Sequence, residues 1–231
     1  MNAITFWGCS VWLAMLLVTA SAAQPSDVAL PGAWGWAAAT PGGRGGQILR
    51  VTNLRASGAG SLREALEAEG PRIVVFEVGG VIDLEKNTLN IKNPHVTVAG
   101  QTAPSPGITL IKGGIGIQTH DVILQHLRVR PGEAGAAKKS GWEVDAIATG
   151  SGAHDVVIDH CSTSWATDEN LSASGERFSG AAVEEWRKGT SHRVTISHCI
   201  IAEGLDHSTH GKGAHSKGSL IHDNATDIAV I

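Results

Sequence analysis

A short phrase of alternating apolar and small or polar residues recurs along the chain: His95-Val-Thr-Val-Ala, Asp121-Val-Ile-Leu-Gln, Asp155-Val-Val-Ile-Asp and Arg193-Val-Thr-Ile-Ser. A fifth copy, Asp227-Ile-Ala-Val-Ile, reaches Ile231. Branched apolar residues fall two apart in each copy, as at Val96 and Val98 or Val156 and Ile158. That is the period of a strand with one buried face. The other face is mostly small or polar, as at Thr97, Asp159, Thr195 and Ser197. The steps are 26, 34, 38 and 34 residues (95→121→155→193→227), so the phrase is kept while the spacing stretches. Such elastic self-similarity predicts a solenoid whose insertions become surface loops.

Other short runs lie between the copies: Leu89-Asn-Ile-Lys, Ile108-Thr-Leu-Ile-Lys, Asp145-Ala-Ile-Ala-Thr, Asn170-Leu-Ser-Ala-Ser and Ser219-Leu-Ile-His. Two or three short strands per repeat, with no amphipathic helix between them, predict an all-β fold, a parallel β-helix. One helix is expected, at Ser61-Leu-Arg-Glu-Ala-Leu-Glu-Ala-Glu, with a Ser-x-x-Glu capping box and a stop at Gly70-Pro71. It would cover the N-terminal end of the coil, where bare strand edges invite aggregation. No such cover is expected at the other end, where the last phrase reads as the start of a further coil; we expect a C-terminally truncated solenoid.

Composition sets the compartment and the partners. Residues 1–23 contain no Asp, Glu, Lys or Arg, and an apolar run around Val11 to Val18 leads into Ala20-Ser21-Ala22-Ala23. This reads as a cleaved secretory signal, with an uncleaved anchor as the competing expectation. Its removal leaves one domain, 24–231, in a secreted or periplasmic protein that needs no membrane. A net charge of −4 argues against a nucleic-acid partner. Cys161 and Cys199 occupy the same place in successive copies, so stacked coils would bring them within disulfide range; a stacked pair of buried thiols is the alternative.

Several side chains invite chemistry. Asp159 and His160 resemble a catalytic pair, but their counterpart one copy on is Ser197-His198, so a hydrogen-bonded internal stack is expected. His207, His210, His215 and His222 could bind zinc, although the sequence supplies no obvious Cys or carboxylate to close a site. They could instead line a substrate groove. Gly42-Gly-Arg-Gly-Gly has a phosphate-loop look without the Lys-Ser/Thr or helix start such a loop needs, and is read as a turn.

An ordered set of phrases resembles the pectate lyases, in particular their secreted bacterial members. It comprises Leu30-Pro-Gly-Ala-Trp-Gly, Gly42-Gly-Arg-Gly-Gly, Val51-Thr-Asn-Leu, Gly60-Ser-Leu-Arg-Glu-Ala, Ala99-Gly-Gln-Thr-Ala-Pro, Ile158-Asp-His-Cys-Ser, Trp165-Ala-Thr-Asp-Glu, Glu203-Gly-Leu and His215-Ser-Lys-Gly. The resemblance implies a right-handed parallel β-helix and Ca2+-assisted β-elimination of a uronate polymer. That reaction needs a cation on the uronate carboxylate to acidify the neighbouring C5 proton, a base to remove it and a positive group to stabilise the resulting charge.

By resemblance Asp145 is a calcium aspartate, Glu143 a second carboxylate two residues earlier, and Asp168 the first carboxylate of the next calcium motif. That motif's second carboxylate falls on Ser172, which Glu169 could offset. Lys217 matches the lysine that grips the substrate carboxylate. The family's base is an arginine beyond that lysine's strand; no arginine follows Lys217 here, and Arg128-Val-Arg-Pro lies on the wrong side of the calcium motif. The expected partner is an acidic polysaccharide, bound by a monomer with little or no turnover in this form. Two alternatives stay open: a glycoside hydrolase using Glu143 with Asp145 or Asp168 with Glu169, and a non-catalytic polysaccharide-binding protein.

Overall fold

The computed structural model describes residues 28–215 and 217–231. The expected signal segment, with Cys9, lies outside them.

The described strands form three parallel sheets. The first contains Gln47–Val51, Arg72–Phe76, Val96–Ala99, His120–Gln125, His154–Asp159, His192–Ser197 and Thr226–Val230, neighbours in that order. The second contains Gly80–Asp83, Ile108–Ile111, Leu127–Arg130, Ser162–Ser164 and Ile200–Ala202. The third contains Leu89–Ile91, Ile115–Ile117, Ile147–Thr149, Glu169–Ala173 and Lys217–Ile221. Order along the chain is order across each sheet, so the polypeptide winds through the sheets in rotation. The all-β parallel β-helix expected from the repeats is the fold.

The recurring phrase is the repeat unit of the first sheet, stacked in register: Val96, Val122, Val156, Val194 and Ile228 are successive partners. Their side chains join Leu89, Ile91, Ile115, Ile117, Ile147 and Leu171 of the third sheet and Ile108, Leu110 and Val129 of the second in one core. The phrase's other face is partly covered. Residues of the N-terminal segment cross it: Ala37 donates its N–H to Thr195 Oγ1 (3.1 Å), and Gly43 donates to Thr97 Oγ1 (3.0 Å). Gly43 must be glycine, because a Cβ there would lie 1.8 Å from the Arg72 carbonyl oxygen. The glycine run is thus a turn pressed against the sheet.

The capping helix spans Leu62–Glu67, shorter than expected and ending at Ala68. Ser61 accepts from the Glu64 N–H (3.3 Å), while Glu64 reaches back to the Gly60 N–H (2.7 Å). Leu62, Ala65 and Leu66 close the N-terminal end of the core. Arg72, buried behind the helix, donates all five guanidinium hydrogens to main-chain carbonyls: Ala65, Leu66, Gly70, Asn93 and Pro94, at 2.7–3.2 Å. A second helix, Val183–Gly189, was not expected. None of its residues is buried, and it sits in an insertion between the third and first sheets, so no core-facing periodicity marks it. No helix among the described residues is long and apolar enough to cross a membrane.

Cys161 and Cys199 stand on adjacent coils as free thiols. Cys161 is buried and Cys199 half-buried. A hydrogen bond to Cys199, and then burial, hold the Cys161 thiol above its usual range.

Candidate active site

Connections from the second sheet to the third all emerge on one flank of the coil, and three of them build a cleft. Their ends are set by strand register. Glu169 opens its strand and pairs with Lys217, the first residue of the next. Ile147 pairs with Leu171, which brings Asp145, two residues upstream, beside Glu169. Side chains from three successive coils are stacked by the strand spacing alone.

The loops are then tied to one another. Lys139 and Gly141 donate N–H groups to the carbonyls of Ser208 and Thr209 (3.1 and 3.0 Å), and the hydroxyls of Thr167 and Thr209 both bond the Trp142 carbonyl (3.0 and 2.7 Å). These bonds hold residues 139–143, 165–168 and 203–215 against one another.

Oxygen atoms of Asp145, Asp168 and Glu169 lie within 4.8 Å of one another. Asp145 is fixed at both oxygens: Oδ1 accepts the Glu169 N–H (3.1 Å) and Oδ2 the Ser172 hydroxyl (2.6 Å). Asp168 Oδ1 accepts from His215 Nε2 (2.9 Å). Lys217 Nζ stands 3.8 Å from Glu169 Oε1. Burial, then the charges of Asp145 and Asp168, push the Glu169 carboxyl up to about 8. Burial also raises Asp145. Added positive charge in the cleft would favour the ionised forms of Glu169 and Asp145.

The surrounding cleft has a volume of about 420 Å3, and Arg177, Lys212 and His222 share its walls with these groups. Behind it, His210 is buried and its ring stacks on His215, centroids 3.9 Å apart. His210 Nδ1 accepts the Lys212 N–H (3.1 Å), so the hydrogen is on Nε2. That nitrogen faces Asp168 (3.5 Å) and Glu143 (3.7 Å), a hydrogen-bearing face turned towards two carboxylates.

The expected residues fall into two groups. Asp145, Asp168, Lys217 and His215 meet in the cleft, and His210 braces it. Two of the expected residues stand apart from the cluster. Glu143 is not part of the three-carboxylate cluster; it turns to the Gly211 N–H (2.9 Å) and His210, while Glu169, the residue that could offset Ser172, is the third carboxylate there. His207 lies outside the cleft lining, exposed and paired with Asp206 (2.7 Å).

The sequence offered Ser172 as a missing carboxylate, whereas its hydroxyl orients Asp145. Arg177 and Lys212 were not anticipated, because lone cations in long insertions carry no periodic signal. The zinc expectation lacked a carboxylate near the histidines, and Asp168 supplies one from the preceding coil. Asp159 and His160 form the internal stack expected: Asp159 is buried and bonds Ser197 Oγ (2.7 Å), His160 Nδ1 (2.8 Å) and His198 Nδ1 (3.1 Å), and the two rings stack at 4.7 Å.

No family model matches the chain. Among curated proteins it is 42% identical over 195 residues to "Probable pectate lyase C" of Emericella nidulans, an alignment covering 84% of this chain and 39% of that protein. It is 39% identical over 210 residues to the "Probable pectate lyase C" of Neosartorya fischeri, covering 90% and 43%. "Pectate lyase 3" of Ambrosia artemisiifolia is 28% identical over 188 residues, covering 74% and 43%. These relatives are fungal and plant, so they lend nothing to the bacterial assignment. Among solved structures, that of jun a 1, the major allergen from cedar pollen, matches with a TM-score of 0.51 at 21% identity, over 70% of this chain and 46% of that one, a likeness of fold. Through most of its own length, and 39–43% of theirs, the chain is a homologue of the curated pectate lyases.

Proposed function

We propose that this chain forms the cation- and substrate-holding part of an exported polysaccharide lyase acting on pectate or a related uronate polymer by calcium-assisted β-elimination. One observation carries the reading: Asp145, Asp168 and Glu169 converge beside Lys217 in a single open cleft. Export rests on the charge-free first 23 residues, and the substrate class on the names of the relatives.

The donor set suits calcium. It offers several carboxylate oxygens at close range, where burial, then the charges of Asp145 and Asp168, raise Glu169 to about 8. Bound there against a uronate carboxylate, calcium would withdraw charge and make the C5 proton removable. The chain's own groups do the holding. Ser172 and the Glu169 N–H keep Asp145 in one rotamer, and His215 does the same for Asp168. Lys217, Arg177 and Lys212 give the cleft cationic walls, complementary to a polymer that bears one carboxylate per sugar. The resemblance puts the base on an arginine beyond Lys217, and none follows it in these 231 residues. We therefore take this chain alone to bind polymer and cation with little or no turnover.

The test is calorimetric titration of Ca2+ into the chain, followed by polygalacturonate, with ultraviolet absorbance reporting unsaturated product. Calcium binding should be lost in Asp145→Ala and in Asp168→Ala. Undiminished binding in both variants would sink the reading. A second reading has one observation in its favour: Glu169, held protonated beside other carboxylates, also fits the acid of a glycoside hydrolase. New reducing ends without unsaturated product would select it.

A further inference from the structure

Away from the cleft, the start of the first sheet carries histidine at one register position in three successive strands: His120, His154 and His192. Their rings stack, with centroids 4.9 and 4.7 Å apart and planes within 17° and 8°. His95, one coil earlier, breaks the pattern. It meets His120 edge-on, with centroids 5.4 Å apart and planes at 89°. Its N–H donates to the His120 carbonyl (3.3 Å), which fixes the two backbones in adjacent coils.

Asp121 fills the angle between these rings. Its Oδ2 lies 2.7 Å from His120 Nδ1 and 3.6 Å from His95 Nδ1. Its Oδ1 accepts the hydroxyl of Thr40 from the N-terminal segment (2.8 Å). Three potential ligand atoms, two imidazole nitrogens and one carboxylate oxygen, therefore converge within 4.8 Å. Ligand bonds of about 2.0–2.1 Å at a tetrahedral angle put neighbouring donors roughly 3.3 Å apart. The two observed separations straddle that value, and no pair of the three donor atoms is more than 4.8 Å apart.

We propose that His95, His120 and Asp121 form a binding site for a divalent transition-metal ion of the zinc class. Two imidazoles and a carboxylate are the donor set such ions favour, and all three side chains remain partly exposed, which leaves a fourth position for water. Thr40 acts as the outer partner that orients the ligating carboxylate, as metal sites require. On its other side the His120 ring is braced by the stack on His154. The next coil does not repeat the site, because Asp155, the counterpart of Asp121, is engaged by Arg193 (Nε, 2.8 Å). The ion would staple two successive coils and, through Thr40, the N-terminal segment that crosses the sheet.

The experiment is equilibrium dialysis of Zn2+ against tag-free chain carrying Asp168→Ala, which removes the carboxylate shared by the cleft's own clusters. One equivalent should bind. Affinity should fall at least roughly tenfold in both His95→Ala and His120→Ala, and remain unchanged in His160→Ala. Co2+ in place of Zn2+ should give the visible absorption of a four-coordinate ion, absent from the same two variants. Far-UV circular dichroism without metal confirms that each variant is folded. No bound zinc, or binding undiminished by either substitution, overturns the site.

Discussion

Replacing Arg72 by Met should loosen the N-terminal end of the coil and little else. The substitution keeps much of the apolar stem but deprives five carbonyls of a charged donor. The Ala65 and Leu66 carbonyls are fully buried acceptors, and stranding each costs about 1–3 kcal/mol. Water can reach the other three more easily. Part of the loss is offset, since a guanidinium that burial pushes below its usual pKa is no longer held out of water. The net expectation is about 3 kcal/mol. In a solenoid each coil contacts mainly its neighbours, so the loss stays local. Hydrogen exchange read by mass spectrometry should show amides of Gln47–Val51 and Arg72–Phe76 opening roughly a hundredfold faster. Those of His154–Asp159 and His192–Ser197 should change little. Arg72→Lys should fall between, because an ammonium has three donors for the five acceptors. Exchange in the first coils matching the parent, or equal acceleration throughout, would refute the argument.

Two further outcomes follow from the fold. The hydrogen bond from Arg193, with its charge, holds the Asp155 carboxyl below the usual range. The pair therefore stabilises the folded state above the unfolded value of about 3.9 and loses that contribution as pH falls through the lowered folded value. Denaturation of Asp155→Asn should show a deficit of about 0.5–1 kcal/mol near neutrality that closes in acid; a deficit that grows as pH falls contradicts the assignment. Gly43→Ala should prise the N-terminal segment off the first sheet at about 1–3 kcal/mol, since the new methyl meets a backbone oxygen that cannot swing away. Limited proteolysis should then cut residues 28–46 sooner, and an unchanged cleavage rate contradicts the packing.

What the sequence by itself determined was everything repeated by translation. Period-two apolar positions and a kept phrase dictate a strand, its buried face and its partner one coil away, which is why Val122, Val156 and Val194 stack as the phrase alone requires. The same symmetry carried Asp145, Asp168 and Lys217 to one flank, because each adjoins the start of an equivalent strand. Tertiary structure alone decided what happens where the repeat is broken. Glu143 and Glu169 are both acidic neighbours of a strand, yet loop-to-loop hydrogen bonds turn Glu143 towards Gly211 and leave Glu169 in the cluster. His207 and His210 are three residues apart in one loop, yet one points to water and the other is buried. Arg72 begins a strand like any surface cation, and only the fold brings it five acceptors, two from the helix and three from the loops beside it. Strand register is a local rule applied many times; an insertion's course is set once, by contacts with segments far away in the chain.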